Sequence, residues 1–278
     1  MNSGSNNYHF PNLLEAFFIV VVLNMGEYLA NAIIWSIGRS AGLQPIAIAT
    51  IGRVLANGLA FSVLLHHSKF TYRELLHEGA ESWRATICRF AVPIALITPG
   101  VLVVVSVVEL GVGQFFPWNG SRDEAREAYL NGGLGLIVLT CMVAPLLEEM
   151  LFRGIMLRSF LRQYPSGTAI AHSAAVFGLA HLNVYQFVLA FGLGLLIGRL
   201  YVATRSLLPG MILHACYNTA VVIVALKTPF DLTRESLLEV WPPSWWFGAL
   251  AIGCVGAWWL AQAVDATESG ASNAKGSH

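Results

Sequence analysis

The sequence has few charged residues. Only 12% of its 278 residues are Asp, Glu, Lys or Arg, whereas a soluble domain has about 25%. Hydrophobic residues make up 56%, so the composition excludes an ordinary soluble domain and indicates a membrane protein. Lys plus Arg and Asp plus Glu number 16 each, so there is no basic excess of the kind that nucleic-acid binding requires. We expect no nucleic-acid partner.

The sequence also lacks the spacings that disulfide frameworks and zinc ribbons use. No CxxC occurs, and all four cysteines lie in or beside apolar runs, where they are predicted to be small packing residues: Cys88, Cys141, Cys216 and Cys254. No Lys or Arg precedes the first apolar run, at 16–23. We therefore expect a permanent helix there rather than a cleaved signal peptide.

Long apolar segments fill most of the chain. A spanning helix needs about 20 mostly apolar residues, and the candidates are 12–36, 44–66, 88–110, 132–160, 167–184, 186–204, 207–226 and 244–264. The predicted fold class is all-α, a polytopic membrane helix bundle with about eight transmembrane helices. We expect one domain over 1–265, with its motif-bearing core at 130–225. Residues 266–278 are polar and rich in Ser, Gly and Ala, and are predicted to form a disordered tail.

Loop charges predict the orientation of these helices. With eight spans, the loops on the N-terminal side hold the larger share of Lys and Arg. The positive-inside rule then places both termini in the cytoplasm. We expect a multi-pass protein of the plasma (inner) membrane, with membrane lipids around it.

The stretch APLLEEMLFRG, residues 144–154, places charges after an apolar run. On a helix Glu149 and Arg153 share one face, in the favourable order for an ion pair. Glu148 points about 100° away, so it is predicted to face a cavity and to act as a base on water. The alternative is a helix end at which these charges lie among the lipid headgroups.

Two further polar pairs have the same spacing of four residues. Phe177 and His181 occur in SAAVFGLAHL, and His214 and Asn218 in LLPGMILHACYN. If the helices bring these faces together around a wet cavity, the group combines a carboxylate base, imidazoles and an amide donor. Those are the parts that hydrolysis of an amide requires. The alternative for each histidine is a hydrogen-bonded position in the helix core.

These three motifs, in this order, resemble those of the CAAX-processing and bacteriocin-processing intramembrane proteases, a group similar to type II CAAX proteases. The matching residues are EExxxR (Glu148, Glu149, Arg153), FxxxH (Phe177, His181) and HxxxN (His214, Asn218). The resemblance covers roughly residues 130–225. It implies an eight-helix glutamic endopeptidase whose active site opens toward the cytoplasm.

The resemblance also implies a role for each motif residue. Glu148 would be the general base that activates water, with His181 as its partner, and His214 and Asn218 would stabilise the oxyanion. The remaining motif residues would be structural: Glu149, Arg153 and Phe177. Substrates would be peptides or membrane proteins, such as a prenylated CAAX tail or a leader peptide.

Several alternatives remain open at this point. No cofactor is expected because no HExxH occurs, but Glu148, His181 and His214 would also suit a zinc site with an open fourth position. The same fold could serve as a non-catalytic scaffold or immunity protein. A proton-linked transporter would also use intramembrane carboxylates, although the sequence shows no internal repeat.

The first two segments contain another polar cluster. Asn24, Glu27 and Asn31 form a stripe along the first helix. Arg53 in the second segment is predicted to pair with Glu27 and join the two helices, or else the stripe faces the cavity as a gate. His172 belongs to no motif and is predicted to be structural.

Overall fold

The computed structural model describes residues 10–43, 45–68, 71–116, 121–227 and 241–276. Over these ranges the chain is helical, and its β-structure is limited to one isolated bridge between His77 and Ser206. The predicted all-α fold class is confirmed. The helices are α1 Leu13–Gly38, α2 Pro45–Ser68, α3 Tyr72–Leu76, α4 Trp83–Phe115, α5 Ser121–Val138, α6 Ala144–Glu149, α7 Arg158–Phe160, α8 Ser166–Leu179, α9 Val184–Thr204, α10 Leu208–Lys227 and α11 Pro243–Gly276. Two π-helical turns, π1 Leu139–Val143 and π2 Met150–Leu157, lie on either side of α6.

Seven helical segments among the described residues are long and apolar enough to cross a membrane. They are Leu13–Gly38, Ala47–Leu64, Trp83–Phe115, Leu130–Phe160, Val184–Thr204, Leu208–Lys227 and Pro243–Gly270. The chain is an integral membrane protein, and these segments form a polytopic helical bundle. The remaining segment predicted to span, 167–184, largely coincides with α8, a helix of only 14 residues. At 1.5 Å per residue that helix is about 21 Å long, shorter than the ~30 Å hydrocarbon core.

The chain leaves the α8 helix before His181. Leu182 has a φ of +53°, a value that a non-glycine residue seldom adopts inside regular structure. The Asn183 side chain then accepts hydrogen bonds from the backbone N–H groups of Tyr185 and Gln186, at 2.9 and 3.2 Å, and so caps the start of α9. His181 therefore lies in the α8–α9 connection and not inside a helix.

The described residues fall into two compact units, and the single domain predicted over 1–265 stays a prediction. The first unit takes the described residues within 1–76 and 148–199, and the second takes those within 77–147 and 200–278. In the first unit, α1 packs against α2 and α8, while α3, α7 and α8 pack against π2. In the second unit, α4 packs against α10 and α11, and α10 also contacts α5 and π1.

The last helix is longer than the sequence predicted. In place of a disordered tail, residues 266–276 continue α11. Thr267 is fixed from two sides, because its hydroxyl donates to Ala263 O at 2.8 Å and accepts from Arg89 Nη1 of α4 at 3.1 Å. The two helices also approach closely, since a Cβ on Gly256 would lie 2.3 Å from Ile97 N.

The helix before π1 is interrupted at one glycine. Gly133 has φ +55° and ψ −150°, a conformation that only glycine adopts without strain. The uninterrupted helical run toward the glutamate pair therefore begins after Gly133.

Candidate active site

The helix that contains EExxxR is not a regular α-helix. Glu149 is the last residue of α6, and Arg153 lies inside π2. A π-helical turn closes i→i+5 hydrogen bonds, is rare, and occurs frequently at functional sites. Sequence reasoning used the α-helical period throughout and did not anticipate either turn.

The predicted ion pair is present and fully buried. Arg153 Nη1 donates to Glu149 Oε1 at 2.9 Å, and the two side chains are 1% and 0% exposed. A buried charge is strongly destabilising unless it is paired and hydrogen-bonded. Glu149 and Arg153 therefore hold each other in place inside the first unit.

Two further contacts fix the Arg153 guanidinium. Its carbon lies 4.6 Å from the centre of the Phe177 ring, in cation–π geometry. Nη2 also donates to Gly194 O of α9 at 3.4 Å. Glycine is required there, because a Cβ would lie 3.3 Å from Nη2 and 2.9 Å from the Ala174 side chain.

Phe177 connects this buried pair to His181. Its ring lies 5.1 Å from the imidazole, centre to centre, at 78°. His181 Nδ1 is 2.9 Å from Phe177 O. Because a carbonyl oxygen can only accept, this bond requires the proton on Nδ1, and the neutral imidazole then keeps its lone pair on Nε2. His181 is half-buried. Its Nε2, which carries the lone pair, therefore lies just beyond the end of α8.

Glu148 differs from Glu149 in burial. It is half-buried, whereas Glu149 is completely buried. The ion pair of Arg153 is with Glu149, as the sequence predicted, and the Arg153 charge also acts on the neighbouring Glu148.

The HxxxN motif lies on α10 in the second unit. His214 is buried, with 4% of its surface exposed, and Asn218 is half-buried. Asn218 Nδ2 donates to Thr140 O in π1 at 2.9 Å. One amide hydrogen is thus used inside the unit, while an asparagine carries two.

The structure brings five of the predicted site residues together in the first unit: Glu148, Glu149, Arg153, Phe177 and His181. His214 and Asn218 are placed together on one helix of the second unit. Sequence reasoning missed Ser173, which donates from its buried hydroxyl to Phe152 O in π2 at 2.9 Å. The available signal was a serine at the start of the apolar motif SAAVFGLAHL.

The polar cluster on the first two helices contains the predicted pair and one unpredicted member. Arg53 Nε lies 3.3 Å from Glu27 Oε2. Asn57, which is 6% exposed, donates from Nδ2 to Glu27 Oε1 at 2.6 Å. Asn24 bonds instead to Val20 O of its own helix. The three side chains Glu27, Arg53 and Asn57 therefore fasten α1 to α2.

The remaining polar candidates have simpler surroundings. His172 packs edge-on against Tyr164 and Phe160, at centroid distances of 4.8 and 6.1 Å. Within the described ranges, no group of three or more His, Cys, Asp or Glu side chains is arranged to hold a metal ion. Glu148 and His181 lie in one unit and His214 in the other, so the zinc alternative stays a prediction.

The fold and these residues define a polytopic helical membrane protein with a polar cluster built from glutamate, arginine and histidine. Residues 131–220 match the family model described as "Type II CAAX prenyl endopeptidase Rce1-like". That segment contains all three motifs, and the predicted resemblance is confirmed for it.

Two curated relatives have similar sequences. The chain is 25% identical over 134 residues to the putative membrane peptidase YdiL of Bacillus subtilis (strain 168), an alignment that covers 48% of this chain and 53% of that protein. It is 31% identical over 107 residues to the membrane-embedded CAAX protease MroQ of Staphylococcus aureus (strain USA300), covering 36% and 43%. The chain thus spans about half the length of the curated relatives it matches. No solved structure matches it.

Proposed function

We propose that this protein is an intramembrane endopeptidase that hydrolyses a peptide bond of a membrane-associated substrate. Glu148 takes a proton from a water molecule, and the resulting hydroxide attacks the scissile carbonyl carbon. The carbonyl oxygen becomes an oxyanion, to which His214 and Asn218 donate hydrogen bonds. The C–N bond then breaks, and the proton taken by Glu148 passes to the leaving amine.

The observation that carries this proposal is the difference between the two glutamates. Glu149 is completely buried and bonded to Arg153 at 2.9 Å, so its charge stabilises the fold through this ion pair. Glu148 is half-buried beside it and interacts with the same arginine. A carboxylate that is only partly buried can meet a water molecule and accept a proton from it.

His181 supports the proposal as the partner of that base. Its bond to Phe177 O fixes the proton on Nδ1, so Nε2 can accept a hydrogen bond from the attacking water. A histidine with one nitrogen anchored to backbone and the other carrying a lone pair is a common acid–base arrangement. The ring contact with Phe177 restricts its orientation.

Asn218 is proposed as an oxyanion donor with its second amide hydrogen. The first hydrogen goes to Thr140 O, which restricts rotation of the amide about its side-chain bonds. A donor that is already oriented loses little free energy when charge develops on the substrate. His214 lies one helical turn before it and is held in a buried position.

The substrate class follows from the family resemblance. The matched family is described as a prenyl endopeptidase, and MroQ is described as a CAAX protease. We therefore propose a membrane-bound peptide or protein, with a prenylated CAAX tail as the first chemical class to test. We also propose the plasma membrane as its location, with both termini in the cytoplasm as the loop charges predict.

The proposed reaction uses no metal. The zinc alternative, on Glu148, His181 and His214, can be separated from it by treating purified protein with a zinc chelator and assaying cleavage. Unchanged turnover agrees with a metal-free glutamate mechanism. Loss of turnover that added zinc restores would favour the zinc-dependent version.

The function is tested by comparing protein termini in cells that express the wild type or Glu148→Gln at equal abundance. A new N-terminus or C-terminus present only with the wild type would identify both the activity and the substrate. If Glu148→Gln complements a deletion phenotype and no wild-type-specific terminus exists, the non-catalytic scaffold becomes the better account.

A further inference from the structure

Three polar or aromatic groups follow one another at a spacing of four residues: Ser173 and Phe177 on α8, and His181 just beyond its last residue. Ser173 donates its hydroxyl hydrogen to Phe152 O at 2.9 Å, and the serine side chain is 2% exposed. The Phe177 ring lies 4.9 Å from the Phe152 ring, centre to centre. Ser173 and Phe177 therefore both contact π2, and Phe177 also contacts the His181 imidazole.

The carbonyl that Ser173 binds belongs to a π-helical turn. A π turn contains one residue more than an α turn. Gaining or losing one residue in a turn rotates everything beyond it by about 100°, which is the α-helical step. If π2 changed to an α-helical turn, Glu148 and Glu149 would therefore rotate relative to the residues that follow π2.

We infer that Ser173 is a positioning residue: its hydrogen bond to Phe152 O holds π2 in its π-helical form and thereby fixes the orientation of Glu148 relative to His181. The Ser173 hydroxyl, the Phe177 ring and the Phe177 carbonyl that accepts the His181 Nδ1 bond all originate from one face of α8. A bond between that face and π2 therefore fixes the positions of Glu148 and His181 relative to each other.

The same arrangement occurs at the other π turn. Asn218 donates to Thr140 O in π1, so each of the two turns beside the glutamates has a backbone carbonyl bonded to a side chain of a neighbouring helix. Asn218 is part of the proposed oxyanion site, so its substitution would change two things at once. Ser173 has no proposed contact with substrate, and it gives the cleaner test.

The change in kcat expected from this inference rests on the proposed function. The expected change in backbone hydrogen exchange does not. Removing the Ser173 hydroxyl leaves a buried carbonyl with one hydrogen bond fewer, which lowers the equilibrium constant favouring the π form on the order of tenfold. We expect Ser173→Ala to lower kcat about tenfold with KM nearly unchanged. Backbone amides of 150–157 should exchange with solvent about tenfold faster.

The experiment uses the full-length protein in detergent micelles with a quenched fluorogenic peptide that ends in a farnesylated CAAX sequence. Ser173→Ala is compared with Ser173→Thr, which keeps the hydroxyl, and with Ser166→Ala, an exposed serine at the start of the same helix. Rates are divided by the amount of folded, monodisperse protein. Hydrogen exchange of 150–157 is measured by mass spectrometry on the same samples.

A tenfold lower kcat in Ser173→Ala, with recovery in Ser173→Thr and no change in Ser166→Ala, supports the positioning role. Unchanged exchange of 150–157 in Ser173→Ala overturns it, whatever the kinetics. Equal kcat for Ser173→Ala and wild type, on a probe that the wild type cleaves, also overturns it. If the wild type does not cleave this peptide, the prenylated CAAX tail fails as its substrate class, and the exchange measurement alone decides the role of Ser173.

Discussion

Breaking the Glu149–Arg153 pair is the most informative perturbation of the fold around the site. The two side chains are 0% and 1% exposed and 2.9 Å apart, so removing one charge leaves the other buried without its counter-ion. Such a loss typically destabilises a protein by about 3–5 kcal/mol. We expect this range for Glu149→Leu and for Arg153→Met.

The double variant should be far less damaging than the sum of the single variants. Two independent losses would add to about 6–10 kcal/mol. With both charges removed, what remains is the lost bond to Gly194 O and the lost contact with Phe177, about 2–4 kcal/mol together. The double-mutant cycle should therefore show a coupling free energy of at least about 2 kcal/mol.

The assay is chemical unfolding in detergent micelles, followed by circular dichroism, with the four proteins purified in parallel. Glu148→Gln is the matched control, because a half-buried carboxylate should contribute less than about 1 kcal/mol. Additive losses in the cycle would refute the buried-pair interpretation. A Glu148→Gln protein as unstable as Glu149→Leu would refute the separation of roles between the two glutamates.

Three other substitutions test individual contacts. Gly194→Leu should lower stability by about 2 kcal/mol or more in the same unfolding assay, because a Cβ there would lie 2.9 Å from the Ala174 side chain and 3.3 Å from Arg153 Nη2. Glu27→Gln should lower stability by about 1–2 kcal/mol and reduce protein abundance, because it removes the anion that joins α1 to α2. The Thr71 N–H and hydroxyl hold the pKa of Glu74 below its ordinary value, so Thr71→Ala should raise that pKa, as an NMR titration of the carboxyl group would measure. The stability that the Glu74 carboxylate contributes through these bonds is fully present above its pKa in the unfolded state. It is lost as pH falls through its pKa in the folded state.

Each of these expectations has a contrary result. A Gly194→Leu protein as stable as the wild type would mean that α9 does not approach Arg153 closely. Normal abundance of Glu27→Gln together with lost activity would favour a gate over a structural pair. An unchanged titration of Glu74 in Thr71→Ala would remove the Thr71 hydroxyl as a cause of its low pKa.

The sequence predicted the charges that pair because helix periodicity is a local property. Glu149 and Arg153 remain partners although the turn between them is π-helical, since four residues span close to one turn in either form. The pairing of Arg53 with Glu27 was predicted from a second rule, that charges inside a membrane segment need partners. Asn57 was missed because an uncharged amide in an apolar segment gives a weaker signal.

The irregular features could not be predicted from composition and spacing. Each π turn accepts a hydrogen bond from a side chain far along the chain, Ser173 for Phe152 O and Asn218 for Thr140 O. The end of α8 before His181 depends on the backbone of Leu182 and the cap of Asn183, while the apolar run continues beyond it. The continuation of α11 depends on the tertiary contact between Arg89 and Thr267.

The central claim is that Glu148 is the base of a peptidase and that Glu149 is a structural neighbour. It is tested most directly by incubating purified wild type and Glu148→Gln, matched for folded protein, with the substrate found from the comparison of termini. We expect the wild type to cleave and Glu148→Gln to lose at least about 10²-fold in turnover at unchanged stability. Cleavage by Glu148→Gln at the wild-type rate would contradict the account.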